Sequence, residues 1–194
     1  MEIELKLLLE AGEADRLRAH LGAPRMIEHQ SNRYFDDDAH SLARAGWGLR
    51  VRESSGPGQP VHWTLTLKHA GEVSGEFSLR PEYEVALESG RVDPMAIARS
   101  LLTDPSVLPE VAVREVGRME NRREVHRLPG TDLAVELDRT IWPDGSVSEE
   151  LEVEIDDPHR SEEVRRVLLE LLELLQIPWR VGQESKLARL MRML

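Results

Sequence analysis

The sequence predicts an α+β fold: about eight antiparallel strands, each with one charged and one apolar face, and three or four helices between them. Three observations predict it. Stretch after stretch alternates charged with apolar residues at period two, as side chains on opposite faces of a strand require. Clusters of Gly, Pro, Asp and Ser punctuate those stretches, as hairpins need. Two stretches near the end change to helical spacing.

The first strand opens with Glu2, Glu4 and Lys6 on one parity and Ile3, Leu5 and Leu7 on the other. Glu13 to Leu21 reads as a short helix stopped by Gly22 and Pro24. Met26 to Asp36 is a strand, and Asp36-Asp37-Asp38 a charged turn. Gly46 to Glu53 sets Arg50 and Arg52 against Leu49 and Val51, and the return strand Val61 to Lys68 sets Thr64, Thr66 and Lys68 against Trp63, Leu65 and Leu67. Gly71 to Gly75 is a turn. Phe77 to Leu87 then carries Arg80, Glu82 and Glu84, with Pro81 placing it at an edge or bulge.

Asp93 to Leu102 is helical, opened by an Asp-Pro pair. Val111 to Val116 and Asn121 to Leu128 read as two strands, and parity alone leaves either Arg122 or Arg123 facing the charged side. Leu133 to Ile141 presents Glu136 and Asp138, and Ser148 to Ile155 presents Glu150, Glu152 and Glu154. Ser161 to Ile177, then Gln183 to Leu194, are amphipathic helices. With no linker, repeat or low-complexity tract, one domain over residues 1–194 is expected.

Composition narrows the function. Net charge is −11, which argues against a nucleic-acid surface. No apolar run has the length of a membrane span, and the acidic start lacks a signal-peptide layout. The chain has no cysteine, so disulfides, thiolate metal sites and cysteine nucleophiles are excluded. A cytoplasmic protein is expected.

Two architectures satisfy the pattern: an open antiparallel sheet with one wet face, or a sheet closed into a barrel with a charged lumen. The charged parity is sorted by sign. Acids occupy the strands of Glu2/Glu4, Glu82/Glu84, Glu136/Asp138 and Glu150/Glu152/Glu154, and bases stand at Arg50/Arg52, Lys68 and Arg122/Arg123. Like charges side by side are unfavourable unless a ligand of opposite sign relieves them. Carboxylate pairs suit a hard divalent cation, and arginine pairs suit phosphate. Together they imply a polyanion bound with its metal.

Glu2-x-Glu4-x-Lys6 resembles the signature of the CYTH superfamily, the triphosphate tunnel metalloenzymes. Tyr34-Phe35-Asp36, Leu49-Arg50-Val51-Arg52, Thr66-Leu67-Lys68, Arg80-x-Glu82-x-Glu84, Arg122-Arg123, Glu136-x-Asp138, Glu152-x-Glu154 and Ser185-Lys186 follow in family order. The resemblance implies an eight-stranded antiparallel β-barrel forming a tunnel with helices outside. It also implies a Mg²⁺- or Mn²⁺-dependent enzyme acting on a triphosphate-containing small molecule. Inorganic triphosphatase is the leading expectation, and adenylate cyclase or thiamine triphosphatase the alternative. From another class, a non-catalytic polyphosphate- or nucleotide-binding module also fits.

By the same resemblance, Lys6, Arg50, Arg52, Lys68, Arg122 or Arg123, and Lys186 would bind phosphate, with Lys6, Arg52 and Glu4 central to catalysis. Glu2, Glu4, Glu152 and Glu154 would hold metal, and Glu82, Glu84, Glu136 and Asp138 would be accessory acids. Two departures stand out: Asn121-x-Arg123 where the family often has Lys-x-Arg, and Gln30-Ser31-Asn32 where it often has Gln-x-Asp. No histidine-rich C-terminal extension of the kind found in longer members is present, and a homodimer is left open.

Overall fold

The structure is a computed structural model and describes residues 2–193. The elements are β1 (Glu2–Leu9), α1 (Glu13–Leu21), β2 (Met26–Asp36), α2 (Ser41–Arg44), β3 (Trp47–Ser55), β4 (His62–His69), β5 (Glu72–Ser74), β6 (Phe77–Arg80), β7 (Glu82–Leu87), α3 (Pro94–Ser100), β8 (Arg114–Arg127), β9 (Ala134–Ile141), β10 (Val147–Ile155), α4 (Ser161–Leu174) and α5 (Lys186–Met191). All strands join one antiparallel sheet in the order β5-β6-β1-β10-β9-β8-β2-β3-β4-β7.

That is ten strands where eight were expected. β5 is a three-residue strand where a turn was expected. The second extra strand comes from Pro81, which lacks the N–H a ladder needs and splits the expected strand 77–87. Its first half, β6, pairs with β1, and its second half, β7, pairs with β4. One run of chain thus stands at both ends of the sheet, which curls into a tunnel-like half-barrel. The open sheet with a wet face is not what forms.

The two parities separate as alternation demands. Ile3, Leu5 and Leu7 of β1 join Val135 and Leu137 of β9 and Leu151 and Val153 of β10 in a core covered by α1 and α4. Leu168 and Leu172 of α4 are fully enclosed there, each contributing roughly 2 kcal/mol of burial. A second core sets Leu49 and Val51 of β3 and Leu65 and Leu67 of β4 against Leu42 of α2 and Met95 and Ala98 of α3. The charged parity therefore turns inward, and Glu4, Lys6, Asp138, Glu150 and Glu152 are all buried.

Several boundaries shift. β8 is one long strand, with a register irregularity opposite Tyr34/Phe35. α4 ends at Leu174 because Gln176 takes a left-handed φ of 55° and Ile177 N–H bonds back to the Leu172 carbonyl at 2.8 Å, a left-handed helix cap. α5 starts only at Lys186, because Gly182 is tied to β1 through the Lys6 carbonyl at 2.9 Å and Ser185 caps the helix through Ala188 N–H at 3.1 Å. Leu194, expected on its apolar stripe, lies outside the described residues. The Asp36 carboxylate caps α2, accepting the N–H groups of Leu42 and Ala43 at 2.9 and 3.0 Å. No described helix is long and apolar enough to cross a membrane.

The β4–β5 connection crosses the β6 backbone so closely that a Cβ on Gly71 would overlap the Leu79 carbonyl. Gly71→Ala is expected to destabilise the fold by about 2–3 kcal/mol, because backbone rather than a flexible side chain must move. Urea denaturation read as a shift in midpoint measures it.

Candidate active site

The lumen is a cavity of about 980 Å³. Its walls include Glu2, Glu4 and Lys6 from β1, Glu152 and Glu154 from β10, Glu136 from β9, Arg123 from β8, Tyr34 from β2, Arg50 and Arg52 from β3, Thr66 and Lys68 from β4, Arg80 from β6, and Glu82 and Glu84 from β7. One turn of α5 brings Lys186 in from the end. Charge is distributed unevenly over these walls.

Six side chains form a buried, mutually neutral ion cluster. Lys186 Nζ lies 2.7 Å from Asp138, 2.7 Å from Glu152 and 3.0 Å from Glu150. Arg123 donates to Asp138 through Nε and Nη2 at 2.8 and 2.7 Å, and to Glu152 at 2.7 Å. Lys6 Nζ approaches Glu152, Glu150 and Glu4 at 3.4, 3.8 and 3.9 Å. Burial alone would raise the Glu152 and Asp138 carboxyls. Lys186 and Arg123, joined by Lys6 at Glu152, hold both below their usual values instead. Burial would likewise lower Lys6, but Glu152, Glu4 and Glu150 outweigh it and the ammonium is stabilised. Lys6 is therefore suited to meeting an anion and not to accepting a proton.

Arg50 and Arg52 lie apart from this cluster. The Arg52 guanidinium donates through Nε to Asn32 Oδ1 at 2.9 Å, and among the described residues no carboxylate pairs with it. Burial first, then repulsion from Arg50 and Arg123, pushes it down to about 10. Arg50 donates to Thr66 Oγ1 at 2.8 Å, has Glu84 only at 4.0 Å, and leaves its Nε without a partner. A chain of neutral amides isolates the pair. Thr140 Oγ1 donates to Asn121 at 3.0 Å, and Asn121 Nδ2 donates to Gln30 Oε1 at 3.0 Å. Asn121, Gln30 and Asn32 line β8 and β2, the two strands that separate β3 from the acids of β9 and β10.

On β4, next to the strand of Arg50, Lys68 pairs with both Glu2 and Glu82, the latter at 3.4 Å. Burial, together with Glu4 and Glu82, drives the Glu2 carboxyl up to about 7 despite Lys68. Glu82, favoured by Lys68 and Arg50 against its burial, is held down. Glu154 is raised by burial and by Glu82 and Glu4. Glu136 reaches about 7 through burial, because its partner Arg123 is shared with Asp138 and Glu152.

Glu2, Glu4, Glu82 and Glu154 thus present hard oxygens that repel one another, a donor set fitting Mg²⁺ or Mn²⁺. Among the described residues no three carboxylate or imidazole groups converge closely enough to hold a cation unaided.

One open alternative is resolved and two placements differ from the sequence expectations. Arg122 faces away from the lumen and pairs with Glu124 beneath α1, so Arg123 is the inward arginine. Glu152, expected at the metal, has both oxygens engaged by Lys186 and Arg123. Lys186, expected on phosphate, is surrounded by three carboxylates. Sequence reasoning named Glu150 and Arg80 in the charged rows, and Gln30, Asn32 and Asn121 as departures from the family pattern, without giving any of them a place in the site.

The chain matches the CYTH domain family over residues 1–190. It belongs to that family. An inorganic triphosphatase of Haemophilus influenzae is 37% identical over 90 residues, a stretch that is 44% of this chain and 24% of that protein. Among solved structures, a Hippeastrum protein named as an adenylyl cyclase, and described as having a dominant triphosphatase activity, superposes with a TM-score of 0.76 at 26% identity, covering 100% of this chain and 96% of that one. A Pyrococcus horikoshii protein gives 0.71 at 18% identity with both chains fully covered. A Bacillus halodurans protein described as an adenylate cyclase gives 0.68 at 23%, covering 97% and 96%. The last two demonstrate the fold alone.

Two predictions follow from the charges. The native Glu136 carboxyl keeps its proton up to about 7 while the unfolded one releases it near 4.5. Between those values the native state binds more protons, so Glu136 makes wild type lose stability as pH rises. In chelator, melting temperatures of wild type and Glu136→Gln should diverge across that window, with the variant the more stable at the upper end. Lys186→Met removes one cation from the neutral cluster and should cost about 3–5 kcal/mol in chemical denaturation.

Proposed function

We propose that this protein hydrolyses a triphosphate with the help of a divalent metal, with inorganic triphosphate converted to diphosphate and phosphate as the reaction. The observation that carries this reading is the pair Arg50 and Arg52. They are lumen-facing guanidiniums, Arg52 with no carboxylate partner among the described residues and Arg50 with one no nearer than 4.0 Å. Guanidinium forks match phosphate oxygens. The names of the Haemophilus influenzae and Hippeastrum relatives point the same way.

In this mechanism Arg50 and Arg52 grip the phosphate chain and stabilise the charge that develops on its oxygens. Water attacks the terminal phosphorus in line, its proton passing to bulk water, the bond to the bridging oxygen breaks, and diphosphate leaves with the electron pair. Glu2, Glu4 and Glu154 would hold Mg²⁺ or Mn²⁺, which supplies further charge neutralisation on the phosphoryl oxygens. Lys68 holds Glu2 and Glu82 in place, and Glu84 stands beside Arg50. Lys6, Arg123 and Lys186 keep Asp138, Glu150 and Glu152 engaged, forming a rigid floor that can meet the ligand by exchanging partners.

Phosphate release from inorganic triphosphate, thiamine triphosphate, ATP and long polyphosphate, with Mg²⁺, Mn²⁺ or chelator, tests the proposal. Metal-dependent release from inorganic triphosphate is expected. Cyclic AMP formation from ATP would replace it with a cyclase, and tight binding without release with a binding module. Arg52→Met should lower kcat/KM by at least about 10³-fold while the unliganded melting temperature holds or rises, because an unneutralised cation has been removed. Near-wild-type turnover would refute the assignment.

A further inference from the structure

Two strands end the sheet, β5 with three residues and β7 with six. β7 pairs along its length with β4, from Glu82 opposite Lys68 to Leu87 opposite Trp63. Its other edge has no such neighbour. The β1–β6 ladder, which flanks the chain just before β7, ends at Glu2 opposite Arg80, and among the described residues no strand continues that ladder along β7. The outward N–H and C=O groups of a strand in this position are a template for another strand.

The two rows of side chains on this strand differ in kind. Val85 and Leu87 pack on the outer core, and Tyr83 shares their parity with 37% exposure. Glu82 and Glu84 turn toward the lumen. Glu82 shares Lys68 with Glu2, and Glu84 is exposed, with Arg50 at 4.0 Å. Glu154, which burial and then Glu82 raise, makes no ion pair among the described residues. Inward acids, and Pro81 at the start of the strand, guard the edge against like strands. A second copy paired through β7 would set glutamates against glutamates, which is unfavourable. The same acids favour a strand of opposite sign.

We propose that the free edge of β7 receives an extended basic segment of a partner protein as an added strand. Lys or Arg at alternate positions would face Glu82 and Glu84, with Val, Ile or Tyr between them beside Tyr83 and Val85. A short blocked peptide of alternating Lys and Val, added to the intact protein in chelator, tests it. Binding is expected, with hydrogen-exchange protection gained by amides of residues 82–87. The matching peptide of Glu and Val should bind at least about tenfold more weakly, and Glu84→Lys should narrow or reverse that preference. In an added strand one alternate set of peptide N–H groups bonds to β7 and the other points away. N-methylating the bonding set should weaken binding by about tenfold or more, and N-methylating the other set should leave it unchanged.

No binding at millimolar peptide, protection that spares residues 82–87, or equal binding of the Lys and Glu peptides would overturn the proposal. So would equal tolerance of the two N-methylated peptides, since attraction between charges alone would then hold the peptide. None of these measurements involves phosphate, so their failure and that of the triphosphatase reading are distinguishable.

Discussion

The scarcity of carboxylates around two lumen arginines, Arg52 with no partner among the described residues and Arg50 with Glu84 no nearer than 4.0 Å, is the constraint on which the lumen depends. Side chains two apart on one strand face stand about 7 Å from each other. At an effective dielectric near 20, two such like charges repel by about 2 kcal/mol. Arg50 and Arg52 bear that repulsion in partly buried positions, and burial first, then this repulsion, lowers the Arg52 guanidinium. Sheet order makes the arrangement possible. Between β3 and the acids of β9 and β10 lie β8 and β2 where, beside the inward Arg123, the amides of Asn121 and Gln30 are hydrogen-bonded to each other. They transmit no net charge, and they keep the basic wall from collapsing onto the acidic one.

The ion cluster solves the opposite problem. Asp138, Glu150 and Glu152 are among the most enclosed charged groups in the chain, and isolated carboxylates there would be very unfavourable. Lys6, Arg123 and Lys186 match them in number and come from three different elements, β1, β8 and α5. The cluster therefore ties the last helix to the sheet and rigidifies one part of the lumen, leaving the groups of unbalanced charge elsewhere. The apolar parity works with it: the two outer cores fix which face of each strand turns inward, so register decides every ion pair.

Parity was legible in the sequence and register was not. Ile3, Leu5 and Leu7 mark an outer face, so the inward direction of Glu4 and Lys6 followed. Which carboxylates an inward lysine meets depends on strands far away in sequence, and so Lys186 and Glu152 were read by type and not by neighbour. β8 defeated even parity. Its outer row carries Arg122, Glu124 and His126 where other strands carry aliphatics, because Arg18 reaches across from α1 to bond Glu124 at 2.7 Å. A polar outer row satisfied by a helix looks, in sequence, like an inner row. Pro81 was read as an edge or bulge within one strand, not as a break, and that the two halves would join opposite ends of the sheet is a property of closure, which no local pattern records.

Asn32 sharpens the argument. The family pattern that this chain resembles often has a carboxylate at this place, which would sit against Arg52 and compensate it. Here an amide oxygen accepts from Arg52 Nε at 2.9 Å. A neutral acceptor fixes the direction of the guanidinium while leaving its charge, and the paired N–H groups at its tip, uncommitted. The free protein bears an unneutralised cation, and an incoming anion has no internal carboxylate to displace. Orientation without neutralisation is the state in which an arginine gains most from phosphate, and in this lumen one oxygen-for-nitrogen difference in a side chain suffices to create it.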